Sequence, residues 1–490
     1  MFRVQGSTPL SEAKLRLLQR YLSGGASRTV AASRLITPRP SGEPALLSLS
    51  QEQLVLREGS MANIPPLYNE CITLRIKRPL EVALLEQSLT EITRRHEIWR
   101  TSYDVRNGHL VQVIHPAVRE MRLPVVDLRG FPEETLEEEV LRLATEETGH
   151  RFDLSRGPLL RAILMKTGEA DYRLSVVAHL SIVDGISVYQ LFPSELAALY
   201  EAFASGKPSP LPQLSLQYAD YAYWQRQWLR DEELAKQLTY WRKQLSGKLP
   251  VLHWPAERPR PAVRTYRGAI LSFGLSRPLT DSLKELTRRE GVTLFTTLLA
   301  SFAGLIYCYT SKVDLVIGTP SPSGRKRSEF QALLGYFLNP VALRIDLQDD
   351  PSLRELLHRA QKVIAEAISY DDLPIEVLEK ELQHKPDSVH NPLCALAISL
   401  QPTSPDEATG WHITSMDAES GGSPWDLYLA FINKADGMIG RVQYNPDLFT
   451  TSTISQLLRD LQKMMQAIVS DPCQHISKLP QVVHEPRMVG

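Results

Sequence analysis

The sequence is poor in cysteine, carries almost no net charge and lacks the commonest motifs of catalytic and nucleotide sites. Its four cysteines never form a CxxC pair, which argues against a disulfide framework or a zinc cluster and favours a reducing compartment. The 55 Lys and Arg residues nearly balance the 56 Asp and Glu residues, so a broad field that attracts nucleic acid is not expected. A Gly-rich phosphate loop, a GxSxG elbow and an HExxH helix are also absent from the sequence.

Targeting and membrane signals are weak. The first residues, MFRVQGSTPLSEAK, hold no apolar run of the kind that a secretory signal needs, so a cytoplasmic location is expected. Val292 to Ser311 carries no charge over 20 residues, but Thr, Ser, Gly and Tyr dilute it, and a helix buried on all sides gives the same pattern. We therefore predict a core helix there and no membrane partner.

What the sequence does contain is typical of a folded protein with more than one unit. It has 490 residues, 43% hydrophobic and 23% charged, enough for two large domains or about three ordinary ones. Residues 1–43 differ from the rest because seven basic residues face only Glu12 and Glu43. A leucine stripe predicts a short helix followed by a linker. This basic segment is interpreted either as a mobile tail or as a docking helix.

From Leu46 onward, helical and strand patterns alternate in two halves, and the Pro-rich stretch from Ser205 to Gln213 separates them. This alternation predicts α/β sandwiches rather than bundles or barrels. The predicted helices are 80–96, 185–203, the aromatic segment from Tyr218, 278–290, 292–310, 351–368 and 451–469. The predicted strands are 110–115, 159–165, 173–179, 268–275, 313–318, 340–347 and those near 425–444.

One segment, VVAHLSIVDGIS at residues 176–187, combines a strand end with polar side chains. The strand ends at His179, and Asp184 with Gly185 opens a helix, where a carboxylate can accept free backbone N–H groups. A histidine in such a place can serve as a general base. A buried histidine that is hydrogen-bonded for structural reasons gives the same pattern, and both interpretations stay open.

Several motifs in the correct order identify a resemblance. Residues 45–480 resemble the condensation domain of nonribosomal peptide synthetases, which is related to chloramphenicol acetyltransferase and other acyltransferases that carry HHxxxDG. The matching stretches are SLSQEQL at 48–54, RHEIWRT at 95–101, YADYAYWQ at 218–225, IGTP at 317–320, LGYFLN at 334–339, DDLPIE at 371–376 and VQYNPDLF at 442–449.

The chain departs from this family at the residue that matters most for catalysis. Aligning Asp184 and Gly185 with the motif's DG puts His179 on the first histidine and Leu180 on the second, which the resemblance implies to be the catalytic position. Leucine accepts no proton, and a positioned general base contributes about 10²–10⁴ in rate. Positioning two tethered substrates can supply a comparable share.

The resemblance also implies roles for other residues. His179 and Asp184 belong to the catalytic motif, and Asp184 is expected to pair with Arg95 or Arg100 and shape the site. Gly185 is expected to let backbones approach beside a tunnel. Asn339 and Asn445 are expected in loops near the tunnel, where each equally suits a turn. The aromatic residues from Tyr218 to Trp228 are expected to pack between the lobes. The run from Gly324 to Arg327 is expected to be a solvated loop, or a contact for the acidic surface of a carrier protein or for a pantetheine phosphate.

The fold implied by the resemblance is a pair of chloramphenicol-acetyltransferase-like α/β lobes, at 45–210 and 225–480, that form a V-shaped pseudodimer. Phosphopantetheine arms of donor and acceptor carrier proteins would enter a tunnel between the lobes, and no metal or bound organic cofactor is implied. Three functions remain open: condensation of a carrier-bound thioester with an amine or hydroxyl acceptor; a non-catalytic module that binds carriers and recruits a tailoring enzyme; and a free-standing acyltransferase for a small alcohol or amine. His179 disfavours the heterocyclising branch, which has Asp at that position.

Overall fold

The computed structural model describes residues 36–59, 64–250, 260–261, 263–382, 393, 395–402, 411–414, 418–434 and 437–479. The predicted N-terminal basic helix lies outside the described residues. The described end of that segment, residues 36–43, contains no helix.

The first lobe is a five-stranded sheet with helices packed against it. The strand order is β11-β1-β6-β5-β4, and β4 runs parallel to β5 while the other pairs are antiparallel. A separate hairpin joins β2 to β3. The strands are β1 (Asn69–Ile76), β2 (Thr101–Arg106), β3 (His109–Ile114), β4 (Val125–Asp127), β5 (Leu160–Lys166), β6 (Tyr172–His179) and β11 (Trp411–Thr414). The helices are α1 (Leu49–Gly59), α2 (Val82–Arg95), α3 (Glu133–Gly149), α4 (Phe192–Ala204) and α5 (Tyr218–Trp228).

The second lobe is built on a six-stranded sheet of order β7-β13-β12-β10-β8-β9, in which β10 runs parallel to both of its neighbours. The strands are β7 (Ala269–Leu275), β8 (Asp314–Ser321), β9 (Asn339–Asp346), β10 (Leu396–Gln401), β12 (Leu427–Lys434) and β13 (Gly437–Tyr444). The helices are α6 (Asp231–Gln244), α7 (Arg277–Glu290), α8 (Leu294–Thr310), α9 (Leu353–Ile368), α10 (Ile375–Glu381) and α11 (Thr451–Ser470).

Helix α8 contains most of the uncharged run that could suggest a membrane. It is buried nearly along its whole length, between α9, α11 and the sheet, as predicted for a core helix. Among the described residues no single helix is long and apolar enough to cross a membrane; α7 and α8 pass on length and composition only as a pair, and they are bent by 105°.

The segment from Phe330 to Phe337 belongs to the second half of the chain but packs into the core of the first lobe. Tyr218 and Tyr221 of α5 contact it, with ring centroids 5.1 Å apart for Tyr218 and Phe337 and for Tyr221 and Phe330. Gly335 has a φ of 153°, and a Cβ there would lie 2.2 Å from the Tyr218 ring. Tyr218, Tyr221 and Trp224 therefore pack in the core of the first lobe, against a segment from the second half of the chain, and Trp228 packs against the core of the second lobe.

Most predicted elements are present within a few residues, but the sequence patterns did not predict every element. The strands that were missed are β1, β2, β4, β10 and β11, and the missed helices are α1, α3, α6 and α10. Strand β11 leaves the second half of the chain to pair with β1 at the edge of the first lobe. The lobe boundaries at 45–210 and 225–480 stay a prediction. Continuous boundaries of this kind do not describe β11 and residues 330–337, which come from the second half of the chain but pack in the first lobe.

Candidate active-site cavity between the lobes

A cavity of about 260 Å³ lies between the two lobes. The first lobe contributes residues of α1, the start of β1 and the motif segment that includes Leu180, Asp184 and Gly185. The second lobe contributes parts of β8, β10, β12 and β13 and of α10. We call this space the inter-lobe cavity. It places the motif segment at the junction where carrier-delivered groups are expected by resemblance to the family.

His179 does not line the inter-lobe cavity. It is fully buried, its Nδ1 lies 2.6 Å from Ser181 Oγ, and its Nε2 lies 2.7 Å from Glu58 Oε2. The Ser181 backbone N–H also donates to Nδ1, which leaves the ring proton on Nε2 to donate to Glu58. Since protein groups occupy both nitrogens, the geometry favours a structural role for His179 and disfavours a catalytic one.

Leu180 does line the cavity, at the position where the family's catalytic histidine is expected. Its backbone N–H donates to the Tyr68 carbonyl over 2.7 Å and so extends the pairing of β6 with β1 by one residue. The side chain presents a hydrocarbon surface to the cavity, so this position supplies no group that accepts or orients a proton.

Asp184 is held by a buried ion pair with Arg325. Its Oδ1 accepts from Arg325 Nη2 at 2.8 Å and its Oδ2 from Arg325 Nε at 3.0 Å. Oδ1 also accepts the Ser187 backbone N–H at 2.7 Å. The remaining guanidinium nitrogen of Arg325, Nη1, donates to the carbonyls of Phe330, Gln331 and Leu333. The pair therefore ties the motif segment of the first lobe to the segment that crosses from the second half.

The partner predicted for Asp184 was wrong. Arg95 pairs with Glu195 at 3.1 Å, and Arg100 pairs with Glu97 at 3.3 Å. These glutamates engage both guanidinium groups, and neither arginine pairs with Asp184. A charged group in a core needs a partner, and Arg325, in the 3₁₀ turn of residues 323–326, supplies it.

The prediction of a solvated loop at residues 324–327 was wrong, because the basic side chains of this run contact other parts of the protein. Arg325 is only 4% exposed. Lys326 contacts Asp371, and its Nζ also donates to the Ile368 carbonyl at 2.8 Å. Arg327 stacks over the Trp224 ring at 4.7 Å. A basic run was misread as a surface feature because its acidic and aromatic partners are distant in sequence.

Gly185 lies where a strand of the second lobe approaches the motif segment closely. A Cβ at this position would lie 2.7 Å from Gln401 Oε1, at the end of β10. The close contact at Gly185 is with the flexible end of a side chain, which a larger residue would displace, and the close approach of backbones expected at Gly185 stays a prediction.

Asn339 and Asn445 do not line the cavity; each fixes a turn. Asn339 donates to the carbonyls of Asp371 and Leu373, both at 2.7 Å, and accepts from Ser50 Oγ at 3.3 Å. Asn445 accepts the Asp447 backbone N–H at 2.9 Å. Of the two expectations for these residues, the structure shows the turn.

Sequence reasoning missed a polar cluster on the cavity wall. Glu70 of β1 and Arg441 of β13 line the cavity from opposite lobes, together with the phenols of Tyr189 and Tyr428. Burial raises the pKa of Glu70, and the Arg441 guanidinium opposes that rise only in part. Burial likewise raises the pKa of Tyr189 to about 12. The signal in the sequence was a Glu at the start of an apolar strand, but β1 itself was not predicted.

Within the described ranges, no group of three or more His, Cys, Asp or Glu residues is placed to hold a metal ion. A carboxyl, a guanidinium and two phenols around an apolar space suit binding of a small polar group at the end of a longer chain.

Comparisons with known proteins agree with this architecture. A sequence model of the condensation domain matches residues 45–485. A linear gramicidin synthase protein from Brevibacillus parabrevis is 40% identical over 466 residues, which is 92% of this chain and 9% of that protein. The chain thus spans a small part of the length of the synthase that it matches.

Solved structures show the same two-lobe fold. The X-domain from teicoplanin biosynthesis is 26% identical with a TM-score of 0.78, over 92% of this chain and 100% of that one, and a further match is a complex of the X-domain with OxyB. The first condensation domain of the CDA synthetase has a TM-score of 0.80 at 17% identity, over 91% of this chain and 100% of that one, which shows the fold alone. The predicted chloramphenicol-acetyltransferase-like fold is confirmed, and the chain belongs to the condensation-domain family of nonribosomal peptide synthetases.

Proposed function

We propose that the chain acts in nonribosomal peptide assembly as a condensation module that joins a carrier-bound acyl or peptidyl thioester to an amine or hydroxyl acceptor, without a histidine base at position 180. The observation that carries this proposal is the inter-lobe cavity, which keeps the anchored motif segment and a polar wall although Leu180 replaces the base. The 40% identity with a linear gramicidin synthase supports the same role.

The proposed partners are donor and acceptor carrier proteins, whose phosphopantetheine arms would bring the two substrates to the cavity. The arms serve as substrate carriers, and no resident cofactor is proposed. We also propose that both phosphopantetheine arms enter one tunnel between the lobes. The proposed location of the protein is the cytoplasm.

The residues present can promote the reaction chiefly by positioning. Two reactants held in contact react as if at very high concentration, which is worth several orders of magnitude. Asp184 and Arg325 fix the cavity rim, because the bonds between them and to the Ser187 N–H hold the motif segment in a single arrangement. Leu180 and the surrounding apolar wall exclude water, which competes with the acceptor for the thioester.

A mass-spectrometric condensation assay with loaded carrier proteins encoded nearby tests the proposal. Wild type should form the joined product faster than the carriers alone. Leu180→Ile, which keeps a hydrocarbon wall, is the matched control for Leu180→His. If wild type binds both loaded carriers and gives only the uncatalysed rate, the condensation proposal fails.

The second candidate is a non-catalytic module that recruits a tailoring enzyme. Leu180 favours it, and so does the 26% identity with the X-domain from teicoplanin biosynthesis, which a further solved structure contains in complex with OxyB. Under this alternative, a tailoring enzyme encoded nearby should bind the chain with a measurable Kd, and substitutions inside the cavity should leave that Kd unchanged. Absence of binding to every such enzyme would reject it.

A further inference from the structure

Glu70 and Leu180 are neighbours on one face of the first-lobe sheet. In the register of β1 and β6, Glu70 lies opposite Ala178, and the Leu180 N–H extends the ladder to Tyr68. Glu70 and Leu180 are therefore diagonal neighbours, whose side chains start about 7–8 Å apart and remain within reach of a long side chain. Both line the inter-lobe cavity.

The Glu70 carboxylate faces the inter-lobe cavity. Within the part of the chain that the structure describes, no hydrogen bond or ion pair holds it. The titratable and charged groups around it are Arg441 on β13, the Tyr189 phenol before α4, the Tyr428 phenol on β12 and the Cys71 thiol on β1. Arg441 is engaged elsewhere, because its Nη2 donates to the Ala418 carbonyl at 3.2 Å, while its Nε has no partner among the described residues.

Glu70 is half-buried, and its carboxylate borders the cavity without a hydrogen bond from the described protein. Two nearby carboxylates that are more deeply buried are satisfied: Glu58 by His179 and Asp184 by Arg325. An N–H donor from a ligand in the cavity would supply the hydrogen bond that Glu70 lacks. Perturbed, unsatisfied carboxyls in clefts mark functional sites.

We propose that Glu70 binds the nucleophilic amine of the acceptor in the inter-lobe cavity and takes the role that Leu180 leaves vacant. This assignment rests on the proposed function of the cavity as the seat of carrier-delivered groups. The acceptor's N–H donates to the Glu70 carboxylate, which orients the nitrogen lone pair toward the donor thioester.

The step balances without a further reactant. The neutral amine nitrogen attacks the thioester carbonyl carbon, the C–N bond forms, and the C–S bond breaks as the pantetheine sulfur leaves with the electron pair. Glu70 accepts the proton that the nitrogen loses and returns it to the sulfur, so the products are an amide and a thiol. Burial raises the pKa of Glu70. A higher pKa makes the carboxylate a stronger base, which favours transfer of the proton from the attacking nitrogen to Glu70.

Binding of stable acceptor mimics tests the site without requiring turnover. The probes are glycyl-aminopantetheine, in which an amide replaces the thioester, and acetyl-aminopantetheine, which lacks the amine. Wild type should bind the glycyl compound about 10- to 100-fold more tightly, the usual effect of a hydrogen bond to a charged group. Glu70→Gln should reduce that ratio to near one, and Glu70→Asp, which keeps the charge on a shorter chain, should reduce it in part.

The controls separate this site from the broader function. Glu134→Gln changes an exposed carboxyl on α3 and should keep the wild-type ratio, and thermal unfolding should show that every variant is folded. Equal affinities of wild type for the two probes, no binding of the glycyl probe, or an unchanged ratio in Glu70→Gln would each overturn the assignment. The two proposals can fail separately. If the condensation assay gives no product but the preference for the amine probe still depends on Glu70, condensation is rejected and the assignment of Glu70 as an amine-binding residue stands.

Discussion

At the end of the paired strands β1 and β6, the polar groups on the two faces of the sheet differ in their hydrogen bonding. Behind the strand end, His179 is fully buried between Ser181 and Glu58, with both ring nitrogens bonded. In front of it, Leu180 and Glu70 face the inter-lobe cavity, and the described protein offers the Glu70 carboxylate no hydrogen bond. His179 and Leu180 are adjacent in sequence, but His179 belongs to the buried core and Leu180 to the cavity surface.

This contrast separates the scaffold from the reactive surface. Groups whose bonds are complete hold the motif segment in place, and their removal should lower stability. Cavity groups that have no hydrogen-bond partner in the described protein, namely the side chains of Leu180 and Glu70, should contribute little to stability, and their replacement should alter binding or rate. The family motif mixes both kinds, and the chain departs from it at Leu180 on the cavity surface, while His179 and Asp184 keep their hydrogen bonds.

The largest effect is expected from breaking the anchor. Asp184→Ala leaves Arg325 as an uncompensated buried charge, which typically costs about 3–5 kcal/mol of the free energy of unfolding. Chemical denaturation measures this loss. Asp104→Ala, which removes an exposed carboxylate, is the control and should change stability little. Equal stability of Asp184→Ala and wild type would contradict the structural role of the pair.

Restoring a base at the cavity surface comes next. Leu180→His should raise the single-turnover condensation rate, but by less than the roughly 10²–10⁴-fold that a positioned general base supplies, because Glu70 already provides part of this effect in the wild type. Quenched-flow mass spectrometry measures the rate, with Leu180→Ile as the comparison. No gain in a folded variant would show that a histidine at position 180 is not sufficient to speed the reaction in this cavity.

A smaller effect is expected behind the strand. His179→Phe keeps an aromatic ring but removes the hydrogen bonds of both ring nitrogens and leaves Glu58 buried without that partner, at a cost of about 1–3 kcal/mol. Because His179 does not reach the cavity, the pH dependence of the rate should be unchanged. A loss of rate at full stability would return His179 to the catalytic machinery.

The smallest effect is a gain in stability on removing the unsatisfied charge. Burial raises the pKa of Glu70 in the folded chain above its value in the unfolded chain. Between these two pKa values the folded state binds more protons than the unfolded state, so the stability of the wild type falls as the pH rises through this range. Glu70→Gln does not titrate, so its thermal midpoint should exceed that of wild type by a margin that is larger at about pH 8 than at about pH 5. A margin that does not depend on pH would contradict the raised pKa.

The sequence was informative wherever a pattern is local. The hydrophobic periods of α2, α8 and α11 and the alternation near β12 and β13 predicted those elements closely. Strand β11 could not be predicted, because its four residues, Trp411–Thr414, acquire their place only by pairing with β1 in the other lobe.

The site was predictable only as far as its motif. The positions of Asp184, Gly185 and Leu180 followed from the resemblance, but the partner of Asp184 did not, because Arg325 lies 141 residues away along the chain. Glu70 was missed for the same reason: its importance depends on its register against β6 and on Arg441 from the other lobe. Long-range pairing of this kind leaves no local signal.

A double-mutant cycle on the condensation rate tests the central claim most directly, namely that Glu70 serves where Leu180 cannot. Single-turnover rates are needed for wild type, Glu70→Gln, Leu180→His and the double variant. We predict that Glu70→Gln slows wild type at least about tenfold but changes Leu180→His little, because the new histidine takes over the amine. An equal slowing in both backgrounds would show that Glu70 and position 180 act independently and would contradict the account.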